Sequence, residues 1–101
     1  MTWKVVVDIR AEKDIKKLIK KNLLNKDDFI VIKQWINLVE KYGPEKLSDS
    51  SFWNDHELIR DQKWLNCRSS SFSFSGRIIY RIIDKKIIVE VLRITTDHDY
   101  R

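Results

Sequence analysis

The chain has 101 residues, of which 43% are hydrophobic and 35% are charged, and its formal net charge is +5. This length predicts one domain, residues 1–101, with a modest core. The apolar-rich stretch 78–94 is interrupted by charges and is shorter than the ~20 apolar residues that cross a bilayer. The N-terminus lacks the basic-then-apolar order of a secretory signal, so we expect a cytoplasmic protein.

The residues available for metal or cofactor chemistry are few. Cys67 is the only cysteine, which excludes an internal disulfide and a multi-cysteine metal site. The chain has two glycines, too few for a glycine-rich phosphate loop. The two histidines show no recognised metal-ligand spacing. We therefore expect no metal and no cofactor, and we expect Cys67 to be a small buried residue rather than a nucleophile.

The two kinds of basic residue are distributed unevenly along the chain. Ten of the thirteen lysines precede residue 50, whereas six of the seven arginines follow it. Lysine is a flexible solubilising charge, while the planar arginine fork binds phosphate bidentately. The positive charge suits a polyanionic partner, either nucleic acid or an acidic protein. A better tolerance of arginine than lysine in strands would explain the same distribution.

The N-terminal half predicts one strand followed by two helices. The β-branched run Val5–Val7 predicts a strand over residues 3–9. Apolar residues at helical spacing predict a helix from Ala11 and a second helix that begins within residues 25–28. A glycine and a proline at positions 43–44 end the second helix, and the short link between the helices predicts an αα-hairpin.

The C-terminal half predicts three strands after a polar segment. The predicted segments are a strand at 64–69, a turn at 70–75, a strand at 76–83, a turn at 84–86 and a strand at 87–94. The element order is therefore β-α-α-β-β-β. An α+β fold satisfies it most economically, with a four-stranded antiparallel sheet and the helical hairpin packed on one face.

Both histidines lie beside aspartates in predicted loops that flank the arginine-bearing strands. His56 follows Asp55, and His98 lies between Asp97 and Asp99. Histidine exchanges a proton near neutral pH, and nearby carboxylates favour its charged form. Two ordinary surface histidines are the alternative, but loop positions beside cationic strands favour a functional role.

The arginines of the predicted sheet form a candidate phosphate site. Strand alternation places Arg77, Ile79 and Arg81 on one face, and Arg68 and Arg93 on the neighbouring strands extend the site. A surface ion pair is the alternative for any single arginine. RNA cleavage by the 2′-hydroxyl needs a base, cations around the phosphate and an acid for the departing 5′-oxygen. It needs no metal.

Three motifs carry a family resemblance. They are Asp55-His56-Glu57-Leu58, Trp64-Leu65-Asn66-Cys67-Arg68 and Gly76-Arg77-Ile78-Ile79-Tyr80-Arg81-Ile82. Together with the element order, they resemble the RelE/ParE toxin superfamily, and the first motif resembles its YafQ-like branch. The resemblance covers essentially the whole chain. The branch carries a histidine and an aspartate in the turn at 70–75, where this chain has serines and phenylalanines.

The resemblance implies a toxin of a type II toxin–antitoxin system that cleaves mRNA in the ribosomal A site and is neutralised by a cognate antitoxin. It implies a catalytic group made of His56, Arg68, Arg77, His98 and Tyr100. Further basic residues are expected to bind phosphate or RNA, namely Arg60, Lys63, Arg81 and Arg93. The alternatives on the same scaffold are a ParE-like toxin that inhibits DNA gyrase by binding, and an inactive relative.

Overall fold

The structure, a computed structural model, describes residues 3–59, 62–83 and 88–96. Within these residues the strands are β1 (Lys4–Val7), β2 (His56–Glu57), β3 (Arg68–Ser71), β4 (Arg77–Ile83) and β5 (Ile88–Thr95). The α-helices are α1 (Ile9–Lys20) and α2 (Lys26–Tyr42). Short 3-10 helices lie at Pro44–Asp49, Ser51–Trp53 and Gln62–Trp64. No helix in the described part of the chain is long and apolar enough to span a membrane.

The helical hairpin is confirmed, with an earlier start of α1 than the sequence predicts. The carboxylate of Asp8 accepts a hydrogen bond from the backbone N–H of Arg10 at 2.8 Å, so α1 begins directly after β1. A capping box between Asn25 and Asp28 begins α2. Gly43, at a φ of 88°, ends it, and a Cβ there would lie 2.7 Å from the Trp3 ring.

The sheet order is β1-β5-β4-β3-β2. The α+β class is confirmed, but the prediction of a four-stranded antiparallel sheet is wrong in two respects. First, β1 pairs with β5 in parallel, because the α1–α2 hairpin and the segment after it carry the chain across to the far edge of the sheet. Second, β2 adds a fifth strand, and its two residues are too few to show a strand pattern.

The predicted bounds of the strand at 64–69 are also wrong. Residues 62–64 form a 3-10 helix, and Asn66 has a left-handed φ of 64°, so β3 begins only at Arg68. It then continues through serines that the sequence assigns to a turn. Tertiary contacts override their turn preference, because Ser70 is fully buried and its Oγ accepts a hydrogen bond from Trp35 Nε1 at 2.9 Å.

The two faces of the sheet carry separate apolar clusters. The larger cluster lies between the sheet and the helices, where the buried Trp35 packs edge-on against Tyr80 at 5.1 Å between ring centroids. We call the opposite side of the sheet the outer face. A smaller cluster covers part of it, made of Trp64, Cys67, Ile79 and Leu92. The alternation predicted for β4 is therefore confirmed at Ile78, Ile79 and Tyr80.

Candidate functional site

The pairing register brings one predicted histidine and three predicted arginines to the outer face. Residues directly opposite each other on antiparallel strands point to the same side of the sheet. One transverse row on the outer face is His56, Ser69, Ile79 and Arg93. The flanking rows contain Ser71, Arg77 and Thr95 on one side and Arg81 and Glu90 on the other. The row from His56 to Arg93 crosses three strand spacings, roughly 14 Å.

A β-bulge places Arg93 on this face. Tyr80 pairs with Val91, but Ile79 pairs with Arg93, so Leu92 is an extra residue of β5. Continuous pairing would set Arg93 opposite Ile78, on the side of the helices. The bulge therefore turns a guanidinium that would enter the core towards the outer face.

Arg81 and Arg93 each have a carboxylate partner. Arg81 pairs with Glu90 at 2.8 Å, and half of its side chain is exposed. Arg93 forms a two-pronged pair with Asp14 of α1 at 2.7 and 2.8 Å, and this hydrogen bonding raises the pKa of Arg93. Exposed ion pairs are worth about 0–1 kcal/mol, so a phosphate can compete for the Arg81 guanidinium at little cost.

Arg10 is a further cation near Arg93, and no sequence motif indicates it. It bonds to Asp8 at 2.9 Å, and this bond raises the pKa of Arg10, which is also influenced by the charges of Arg93 and Glu90. Arg10 is the one arginine of the lysine-rich half of the chain. Its position three residues after the end of β1 is the signal that could have revealed it, because the chain there still lies beside the neighbouring strand β5.

Arg77 lies at the edge of the outer face and is only 8% exposed. Its Nη1 donates hydrogen bonds to the carbonyls of Gly76, Phe74 and Ser73 at 2.9, 3.2 and 3.4 Å. The guanidinium therefore holds the turn between β3 and β4 in a fixed shape.

Arg68 lies on the other side of the sheet from His56. Its Nε and Nη2 donate to one oxygen of Asp55 at 2.9 and 2.7 Å, and the second oxygen accepts from Ser70 Oγ and Tyr80 Oη, both at 2.6 Å. The Asp55 side chain is 1% exposed. Partial burial lowers the pKa of Arg68, but the hydrogen bonds and charge of Asp55, together with Tyr80, outweigh this effect and the pKa is raised. The structure thus gives Arg68 a buried carboxylate partner and does not bring it to His56.

A cavity of about 300 Å³ opens beside this pair. It is lined by Pro44, Glu45, Ser48, Asp55, Arg68 and Ile82. The cavity lies away from the row that contains His56, so it is not part of the outer face.

The expected support of His56 by the neighbouring Asp55 is not formed. Successive strand residues point to opposite faces, so the anchoring of Asp55 towards the helices directs His56 outward. His56 is exposed, and its Nδ1 lies 2.8 Å from the carbonyl oxygen of Asn54. Because a carbonyl can only accept, Nδ1 carries the proton, and Nε2 of the neutral ring is the nitrogen that can accept one.

The remaining predicted residues fall into two groups. Lys63 places its Nζ 5.4 Å from the centroid of the Trp64 ring. Arg60, His98 and Tyr100 lie outside the described residues.

Cys67 is confirmed as buried, and burial raises the pKa of its thiol, which makes it a poor nucleophile. Within the described ranges, no group of three or more metal-ligating side chains is placed to hold an ion.

The buried phenol of Tyr80 predicts a loss of stability in alkaline solution. Burial and the hydrogen bond to Asp55 raise the pKa of Tyr80 well above its ordinary value of 10.0. Above about pH 10, Tyr80 ionises in the unfolded chain but keeps its proton in the folded one. Each further pH unit therefore lowers the free energy of unfolding by up to about 1.4 kcal/mol. We expect urea unfolding between about pH 9 and 11 to show a steeper loss for the parent than for Tyr80→Phe. Equal slopes would contradict this assignment.

The comparisons with known proteins concern the fold. No protein-family profile matches the chain, and no curated protein matches it in sequence. Among solved structures, a chain of the E. coli DinJ–YafQ toxin–antitoxin complex superposes with a TM-score of 0.70 at 20% identity, over 95% of this chain and 93% of that one. The archaeal RelE–RelB complex from Pyrococcus horikoshii gives 0.70 at 15% identity, over 97% and 98%.

A third solved structure is a copper-bound mutant toxin from Helicobacter pylori, with a TM-score of 0.70 at 20% identity over the full length of both chains. The chain therefore shares the fold of the YafQ and RelE structures, and the YafQ neighbour is the toxin of a toxin–antitoxin complex. The resemblance seen in the sequence motifs is confirmed at the level of the fold.

Proposed function

We propose that this chain is the toxin of a type II toxin–antitoxin system and that it is a cytoplasmic endoribonuclease, which cleaves mRNA in the ribosomal A site. The observation that carries the proposal is the arrangement of the outer face. A histidine and arginines from neighbouring strands share that face. The chain that carries this face has a fold whose solved neighbours include YafQ and RelE.

The outer face offers groups for metal-independent attack by the RNA 2′-hydroxyl. Nε2 of His56 takes the hydroxyl proton, the 2′-oxygen bonds to phosphorus, and the bond to the 5′-oxygen of the next nucleotide breaks. Arg81 and Arg93 balance the charge that develops on the phosphoryl oxygens. The products are a 2′,3′-cyclic phosphate and a 5′-oxyanion, which takes up a proton and becomes the 5′-hydroxyl. We propose that His98 or Tyr100, which the resemblance places in the active site, donates that proton.

The other predicted cations have different parts in this proposal. Arg77 fixes the turn at the edge of the face, and Lys63 and Arg60 keep the role in RNA binding that the sequence predicts for them. The phosphate contact that the resemblance implies for Arg68 would require the guanidinium to leave Asp55, whose carboxylate is buried. Arg68 therefore enters the proposal through its effect on the strand that carries His56.

The proposed protein partner is a cognate antitoxin. The solved neighbours include complexes of toxins with DinJ and RelB. The net charge of +5 and the arginines of the outer face favour an acidic antitoxin segment on this surface. Such a segment would neutralise the toxin by covering the groups that contact RNA.

Cleavage of mRNA on translating ribosomes tests the proposed function. We expect new mRNA 5′ ends within the A-site codon when the purified protein is added, and no cleavage of the same RNA without ribosomes. The Arg81→Ala/Arg93→Ala variant tests the arginines of the outer face. It should cleave at least ~10²-fold more slowly than the parent because two phosphate contacts are removed. Intact mRNA together with inhibited DNA supercoiling by gyrase would replace this proposal with the ParE-like alternative.

A further inference from the structure

Phe74 is an aromatic residue whose ring is almost entirely outside the packed core. It lies at the tip of the turn between β3 and β4 and is 96% exposed. Phe72, two residues earlier in the same turn, is 2% exposed and belongs to the core. Phe72 anchors the turn in the core, and the ring of Phe74 is left open to contact with a ligand.

The turn that carries Phe74 is held in place by several contacts. Arg77 bonds to three carbonyls of the turn, including that of Phe74 at 3.2 Å. The backbone N–H of Gly76 donates to Ser73 Oγ at 2.8 Å, and the N–H of Phe72 donates to the Gly76 carbonyl at 3.1 Å. A Cβ at Gly76 would lie 2.4 Å from the Phe72 ring, so the close approach requires glycine. The ring is thus presented by an ordered backbone, and binding loses little further backbone entropy.

The position of the ring relates it to the outer face. Arg77, which contacts the Phe74 carbonyl, belongs to a transverse row of that face. The next row, with His56 at its end, lies two residues further along β4, roughly 7 Å away. A nucleotide strand that crosses the His56 row and runs along β4 towards Arg77 would therefore reach the turn.

We infer that Phe74 stacks on an unpaired base of the RNA, next to the nucleotide whose phosphate lies over the His56 row. This inference rests on the proposed endoribonuclease function. Single-stranded RNA is commonly held by stacking of its bases on aromatic side chains, and one exposed ring face is sufficient. A protein hot spot instead needs surrounding contacts that exclude water. The residues on either side of Phe74 in the chain, Ser73 and Ser75, add no apolar surface around the ring.

Kinetics of three variants on ribosome-bound mRNA test the inference. We expect Phe74→Ala to raise KM about tenfold or to lower kcat/KM by a similar factor, the scale of losing one base–aromatic stack. Phe74→Tyr should restore the parent values because it keeps the ring. Ile30→Ala is the matched control, since Ile30 is an exposed apolar residue of α2 on the helical side, and it should behave as the parent. Antitoxin affinity should be the same for all of these proteins.

A second measurement separates this inference from the proposed function. The probe is single-stranded RNA that contains the fluorescent base 2-aminopurine. Binding to the parent and to Phe74→Tyr should quench its fluorescence, and Phe74→Ala should bind it about tenfold less tightly. A parent that cleaves mRNA while Phe74→Ala keeps its KM and its quenching would overturn the inference alone. A parent that quenches through Phe74 but leaves ribosomal mRNA intact would overturn the nuclease function alone. Weakened antitoxin binding with unchanged RNA parameters would assign the ring to the protein partner and refute stacking.

Discussion

Replacing His56 with glutamine is expected to slow mRNA cleavage on the ribosome by about 10²-fold or more, the usual scale for losing a general acid–base group. Glutamine keeps a similar size and polarity but cannot exchange the proton. The His56 ring is exposed and bonds only to the Asn54 carbonyl among the described residues, so folding should be unaffected. Single-turnover cleavage at saturating protein, with the urea unfolding midpoint as a folding check, measures both effects.

The neighbour Glu57 supplies a matched control for this experiment. It belongs to the same two-residue strand but pairs with Arg68, so its side chain lies on the opposite side of the sheet. We expect Glu57→Gln to cleave at the parent rate. If His56→Gln also cleaves at the parent rate, the proton transfers belong to other groups, and the shared row of the outer face is not the catalytic surface.

The parts of the fold that follow from local chemistry could be predicted from the sequence. The helical hairpin is encoded by apolar spacing, by the capping residue Asn25 and by the stop at Gly43. The β4–β5 hairpin is encoded by two β-branched runs around a polar turn. The parallel pairing of β1 with β5 has no local signal, because it depends on where the chain returns after 80 residues of intervening sequence.

The candidate site was predictable only in part, for the same reason. Alternation alone places Arg77 and Arg81 on one face of β4. The side of the sheet to which Arg93 points depends on Leu92, the extra residue in β5. No local sequence pattern indicates this bulge. The pairing of Asp55 with Arg68 joins residues of two strands whose register is set by the core. Sequence proximity instead suggests Asp55 as the partner of His56, which the structure contradicts.

Removing either partner of the Asp55–Arg68 pair is expected to have the largest effect on stability. Arg68→Ala leaves the carboxylate of Asp55, 1% exposed, without its cation. Breaking a buried pair in this way typically costs about 3–5 kcal/mol. One third of the Arg68 side chain is exposed, so we expect about 3 kcal/mol, the lower end of that range, in the free energy of unfolding.

A double-mutant cycle tests this expectation by urea unfolding. Asp55→Ala should also be destabilising, because Ser70, Tyr80 and Arg68 then lose a shared acceptor. The double variant Asp55→Ala/Arg68→Ala should be more stable than the sum of the single effects predicts, since it leaves no unpaired charge. An additive cycle would show that the two side chains do not depend on each other in solution.

The same variants decide whether Arg68 contacts the RNA phosphate. Anchoring of Asp55 directs His56 to the outer face, so a loss of the pair should slow cleavage by loosening β2 rather than by removing a phosphate ligand. Cleavage by Arg68→Ala should then recover as the temperature is lowered and β2 becomes ordered, and Asp55→Ala should show the same recovery although it keeps the arginine. The contrary result is an Arg68→Ala protein with the parent's free energy of unfolding that cleaves ~10²-fold more slowly, the size of a lost phosphate contact in the transition state. That result would assign the Arg68 guanidinium to the substrate and require Asp55 to release it when RNA binds.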